Sequence, residues 1–197
     1  MYAERHVIFT QPKRKQEKTE RMDATRVLVA QHRAIEALFE EVKHETRRRE
    51  RTSAVARLAE ELIAHMAAEE AVFYPATRRI LDRGANAADR GRSEHLLLRI
   101  DLRRVLETSV VDASFGERVE SLRALFSQHI NEEEGELFPR VTHAVSVAQL
   151  AVLGAEVLAS RPPVWIVTTE GRALVQSEGE WALRGSVSLP IPPARGG

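Results

Sequence analysis

Cysteine is absent from all 197 residues. Its absence excludes disulfide frameworks, zinc–thiolate sites, iron–sulfur clusters and thiol redox chemistry. Any metal must be held by imidazole, carboxylate, carbonyl or water. Net charge is also absent, since 29 basic residues balance 29 acidic ones. No global field therefore argues for nucleic acid or an anionic membrane as partner. No apolar run approaches the ~18 residues of a membrane span. The N-terminus has no apolar stretch of the kind a signal peptide carries. The expectation from these absences is a cytoplasmic protein. What remains is ordinary for a globular chain, with a hydrophobic fraction of 43% and a charged fraction of 29%.

Residues 1–22 are polar, with mixed charges through Lys13 to Lys18, and read as a flexible tail. From Asp23 to about His143 the apolar residues recur at three- and four-residue spacing, which predicts four helices. The first is expected from about Asp23, its N-cap, to Arg48, with Leu28, Val29, Ile35, Leu38, Phe39 and Val42 inward. The second is expected from Ser53 to Asp82, with Val55, Leu58, Leu62, Val72 and Phe73 inward. A polar loop, Arg83 to Gly91, precedes a third helix from Arg92 to Val111, with Leu98, Leu102, Val105 and Leu106 inward. The fourth starts at Ser114, where Ser114-Phe-Gly-Glu117 fits a capping box, and carries Leu122, Leu125, Phe126 and Leu137. Short connections favour an antiparallel up-down four-helix bundle. Pro75 and Pro139 are expected to kink or end their helices. A short fifth helix, Val147 to Leu158, is expected behind Ser146, within a segment spanning 144–160. Residues 161–197 read as a β-hairpin-like or disordered extension, with strand-like Val164–Thr169, Leu174-Val, Trp181-Ala-Leu and Val187-Ser-Leu.

One motif occurs twice. His65-Met-Ala-Ala-Glu69-Glu70 ends in Phe73-Tyr-Pro75, and His129-Ile-Asn-Glu-Glu133-Glu134 ends in Leu137-Phe-Pro139. Four residues is one helical turn, so each copy places an imidazole and a carboxylate on one face. His32 and His95 fall in the apolar stripes of the other two helices. His32 to His65 spans 33 positions and His95 to His129 spans 34, as expected of a two-helix unit used twice. One such histidine alone would read as a hydrogen-bonded core residue; four in register, two with a Glu one turn on, read as a metal site. A buried carboxylate without a partner costs several kcal/mol, so Glu69 and Glu133 need a cation. Imidazole and carboxylate without sulfur suit iron, manganese or zinc. The ferritin-like pattern, Glu three residues before His, is not met, because Val29, Leu62, Arg92 and Phe126 stand there. His6, His44 and His143 read as surface residues. Glu70 and Glu134 read as solvated helix face or as partners orienting an imidazole. Tyr74 reads as a packing residue beside Pro75, with a hydrogen-bonding or redox role as the alternative.

His32, His65-x-x-x-Glu69, His95 and His129-x-x-x-Glu133, with the Phe-Tyr-Pro and Leu-Phe-Pro endings, resemble the hemerythrin-like HHE cation-binding domain family over about residues 23–143. The resemblance implies a non-heme di-iron centre, oxo- or hydroxo-bridged; manganese or zinc suit the same donors. By position, His32 and His65 would serve one ion, His95 and His129 the other, with Glu69 and Glu133 as bridges. The implied ligand is a small diatomic molecule or peroxide, and the implied function is sensing or handling oxygen, nitric oxide or peroxide, or buffering iron. The alternatives are a peroxidase- or catalase-like di-iron enzyme and a metal-stabilised regulatory interaction module. Arg99 stands where oxygen-carrying members keep a further His, and Glu133 follows its His by four residues where they have an Asp at five. The chain is thus closer to the histidine-poor members. Glu36, one turn after His32, is the positional twin of Arg99; the two are expected to pair, or Glu36 to take a coordination place, or both to be ordinary rim charges.

Overall fold

The computed structural model describes residues 23–160, 164–169 and 172–177. The N-terminal tail, His6, and the strand-like segments at Trp181 and Val187 lie outside the described residues. Asp23 caps the first helix, α1 (Ala24–His44), by accepting from the Thr25 N–H. α2 (Arg48–Ala68) runs directly into a π-helical turn, Glu69–Phe73, and then into α3 (Tyr74–Ile80). α4 spans Gly84–Glu107. α5 (Phe115–Glu132) repeats the second pattern, passing through a π turn, Glu133–Leu137, into α6 (Phe138–Ala144). α7 (Val147–Ala159) follows, with a complete capping box between Ser146 and Gln149. Val164–Thr169 (β1) and Arg172–Ser177 (β2) pair antiparallel, with Val164 opposite Ser177 and Thr169 opposite Arg172.

α1, α2, α4 and α5 form the antiparallel four-helix bundle, and α7 packs against α1 and the first π turn. Among the described residues no helix is long and apolar enough to cross a membrane. The buried side chains divide into two apolar clusters. One contains Ile35, Phe39, Leu58, Leu62, Leu98, Leu122 and Phe126. The other contains Leu28, Phe73, Tyr74, Phe138, Val141 and the inner face of α7 at Leu150, Leu153 and Val157. Between the two lies a layer of buried polar groups: His32, His65, Glu69, His95, His129 and Glu133.

Several expectations are corrected here. The segment Arg83–Gly91 is not a loop, because α4 begins at Gly84 and only residues 81–83 separate it from α3. Two glycines suggested a break, but each answers a close approach instead. A side chain on Gly84 would stand 2.1 Å from the Thr77 carbonyl oxygen, and one on Gly91 would stand 2.4 Å from the Tyr74 hydroxyl. The prolines do not end their helices. Pro75 and Pro139 sit in the first turn after each π turn, and the helical course continues to Ile80 and Ala144. A proline clashes with the carbonyl four residues back, and a widened turn relieves that clash. Ser114 does not cap α5; its backbone and hydroxyl both bond to Asp112 at 2.8 Å. α1 stops at His44 and α2 begins at Arg48, so the first link is shorter than expected.

Candidate metal centre

The six inner residues come from all four helices: His32 from α1, His65 from the last turn of α2, His95 from α4 and His129 from the last turn of α5. Glu69 and Glu133 open the two π turns. The donor atoms of His32, His65, Glu69, His129 and Glu133 all lie within 4.8 Å of one another. His95 stands at the edge of this cluster, its Nε2 3.1 Å from a Glu69 oxygen and 3.1 Å from the Tyr74 hydroxyl. The imidazoles form two close pairs, with ring centroids 4.7 Å apart for His32 and His65 and 4.9 Å for His95 and His129. Each carboxylate stands between the pairs. Glu69 is 3.3 Å from His65, 3.1 Å from His95 and 3.6 Å from His129. Glu133 is 3.4 Å from His32 and 3.6 Å from His129.

A test of fit comes from the hydrogen bonds. The Nε2 atoms of His32, His65 and His129, both oxygens of Glu69 and one oxygen of Glu133 are buried without a hydrogen-bond partner among the described residues. Each such group costs about 1–3 kcal/mol when left unmet, and more if charged. Six unmet ligand atoms converging in a buried layer between apolar clusters fit a cation. The donor set, imidazole plus carboxylate, suits iron, manganese or zinc.

The outer ring nitrogens are all engaged. His32 Nδ1 meets Glu134 at 2.8 Å, His95 Nδ1 meets Glu70 at 2.7 Å, His129 Nδ1 meets Glu94 at 2.9 Å, and His65 Nδ1 meets Gln31 at 3.0 Å. These contacts fix which ring nitrogen faces inward. Glu70 and Glu134 thus orient imidazoles, as one of the two sequence readings has it. Gln31 and Glu94 were not anticipated; the only signal was a polar residue immediately before each of His32 and His95. Guanidinium groups hold the two outer glutamates: Arg99 bonds Glu70 at 2.8 Å and Arg33 bonds Glu134 at 2.5 Å. Glu36 pairs with Arg33 at 2.9 Å on the surface and is not among the clustered donor residues. His44 and His143 are exposed.

Tyr74 is more than packing. Its hydroxyl donates to Glu133 at 3.0 Å and contacts His95, while its ring tilts against His95 at 5.3 Å. In the second copy Phe138 takes the same place, stacked on His32 at 5.8 Å. In an α-helix, residues five apart point about 140° from one another. The π turn adds a residue and swings Tyr74 back toward the face of Glu69. That turn was invisible to a periodicity argument built on 3.6 residues.

Electrostatics follow the same geometry. Burial would raise Glu133, but the charge of His129 and the imidazole of His32 close beside it prevail and hold it well below the usual carboxylate range. Burial would lower His129, yet Glu133 and Glu69 carry it well above the usual imidazole value, and His32 is raised in the same way. His65 goes the other way, pushed well down by burial and by the neighbouring His32 charge. Burial, then the Glu133 and Glu69 charges, push the Tyr74 phenol well up, so it stays protonated.

A surface cleft lined by Arg90, Gly91, Glu94 and Glu136 reaches Glu133. The family model described as the hemerythrin HHE cation binding domain matches residues 23–141. The fold is similar to the crystal structure of a hemerythrin HHE cation binding domain-containing protein from Mycobacterium kansasii. That similarity has a TM-score of 0.63 and 23% identity, and covers 70% of this chain and 83% of that one. No curated protein matches the chain.

Proposed function

We propose that this chain, which belongs to the hemerythrin HHE cation-binding domain family, holds two iron ions and uses them to sense or handle dioxygen, nitric oxide or peroxide, or to buffer iron. The observation that carries the reading is the position of the two carboxylates. Glu69 and Glu133 each lie within 3.6 Å of imidazoles from both pairs, as bridging ligands must. His32 and His65 would hold one ion, and His95 and His129 the other. Six protein ligands around a single ion would fill its coordination shell. The same six shared between two ions leave positions open, and open positions at such ions admit and activate small molecules.

The chain's own residues do the rest. The two apolar clusters keep bulk water from the donor layer. Glu134, Glu70, Glu94 and Gln31 hold the imidazoles with Nε2 inward. Tyr74 offers a protonated hydroxyl beside His95 and Glu133, at the side where Glu133 meets the surface cleft.

The test is metal analysis with an absorption spectrum of protein purified aerobically with iron supplied. The expected result is about two irons per chain and a near-ultraviolet or visible charge-transfer band that changes on anaerobic reduction and re-exposure to oxygen. A folded, iron-supplied protein that carries no metal overturns the proposal. In the His129→Ala variant, iron content is expected to fall, since a ligand to one ion is removed.

A further inference from the structure

The repeat makes the centre nearly twofold, and behind the imidazoles that symmetry is broken at one place. Three imidazoles rest on carboxylates: His32 on Glu134, His95 on Glu70 and His129 on Glu94. The fourth, His65, rests on the amide oxygen of Gln31. Gln31 and Glu94 hold matching positions, each one residue before the histidine of its own helix and each reaching across to the other helix of its pair. One backbone position therefore supplies a neutral acceptor in the first half and an anionic one in the second. A carboxylate behind an imidazole makes it a more basic metal ligand, and loss of such a partner typically costs about 10- to 100-fold in metal affinity. An amide keeps the orientation without the charge. Gln31 gains little else from the site, since its Nε2 is buried without a hydrogen-bond partner among the described residues.

We infer that Gln31 is a positioning residue that makes the half served by His32 and His65 the weaker of two ion positions, so that ions bind in two resolved steps and the half served by His95 and His129 fills first. The inference rests on the two-ion reading above. One contact opposes it: the Tyr74 hydroxyl sits 3.1 Å from His95 Nε2 and must yield that nitrogen to an ion. A single neutral hydrogen bond shifts an equilibrium by only about two- to tenfold, and this hydroxyl keeps its bond to Glu133. The charge difference behind His65 and His129 is therefore the larger effect. The surface cleft opens on the same half, between Glu94 and Glu133.

The experiment is a titration of Mn²⁺ into the metal-free full chain, followed by electron paramagnetic resonance and calorimetry. The first equivalent is expected to give the six-line spectrum of an isolated bound ion. The second, bound roughly tenfold more weakly once the Tyr74 contact is set against the charge difference, is expected to convert it to a spin-coupled spectrum. Gln31→Glu should tighten the second step by about that factor and leave the first unchanged. Glu94→Gln should weaken the first step until the two merge. Two ions entering in one step with a coupled spectrum from the outset would overturn the inference while leaving the two-ion reading intact. Saturation at one ion sinks that reading, and the inference with it. If Gln31→Glu does not fold, as judged by circular dichroism, the Glu94→Gln variant decides alone, because an unchanged first step contradicts the assignment.

Discussion

The hydroxyl of Tyr74 reaches the centre because residue 91 has no side chain. A methyl group there would lie 2.4 Å from the hydroxyl oxygen and 2.5 Å from the ring carbon that bears it. Tyr74 is fully buried, so its ring has nowhere to retreat except onto His95 and Glu133. Two effects then oppose each other in Gly91→Ala. Helix propensity favours the substitution by about 1 kcal/mol. Overpacking a closed site costs about 1–3 kcal/mol. The expected net is a loss of up to about 2 kcal/mol in urea denaturation of the metal-free protein, with weakened metal binding. A gain of about 1 kcal/mol would mean that propensity governs and the ring is not seated as described. Tyr74→Phe is expected to cost about 1–3 kcal/mol, since it strips a buried carboxylate oxygen of its donor. The two substitutions share a contact, so in the double variant their effects should depart from additivity by at least about 0.5 kcal/mol.

At the scale of the element, much was legible in the sequence and some was not, for physical reasons. The four helices and their inward residues follow from the 3.6-residue period, and Leu28, Ile35, Phe39, Leu58, Leu98, Leu122 and Phe126 are all buried as that period requires. The inner histidines could be found because they interrupt apolar stripes at matching spacings, 33 positions from His32 to His65 and 34 from His95 to His129. The π turns could not, because a single widened turn leaves no periodic trace; the prolines that mark them read equally well as helix ends. The start of α4 was missed because glycine is ambiguous between a break and a close approach, and only the positions of Thr77 beside Gly84 and Tyr74 beside Gly91 decide which. Caps divide the same way. Both Ser114 and Ser146 precede a helix with Glu or Gln three residues on, yet only Ser146 forms the reciprocal pair with Gln149. Asp112 takes Ser114 for itself. Ser146→Ala should therefore cost about 1 kcal/mol, and Ser114→Ala distinctly less, in denaturant unfolding. Neither should change metal stoichiometry. Equal losses from the two would contradict the capping assignment.

For the molecule as a whole, the buried titrating groups make stability depend on pH in opposite senses with and without metal. In the metal-free protein His129 and His32 have raised values. A base with a raised value in the fold contributes stability that is fully present below its unfolded value, about 6.5, and is lost as pH rises through the folded value. His65 is depressed. Below about 6.5 the unfolded chain takes up a proton there that the fold refuses, so stability falls as the solution is acidified. Glu133 is lowered, so its contribution is present above the ordinary carboxylate value and disappears in strong acid. The metal-free protein should thus be most stable near pH 6.5, declining on both sides. Metal reverses the alkaline limb, because ligation requires neutral imidazoles and displaces the protons of His32 and His129. Binding should strengthen as pH rises from about 6 to 8.5, and at metal about 100 times the dissociation constant the gain should reach about 2.7 kcal/mol, or roughly 5–10 °C in Tm. Thermal melts of stripped and loaded protein across that range test both limbs together. A metal-induced Tm gain that shrinks with rising pH would show that the raised imidazoles are not the groups that meet the ions.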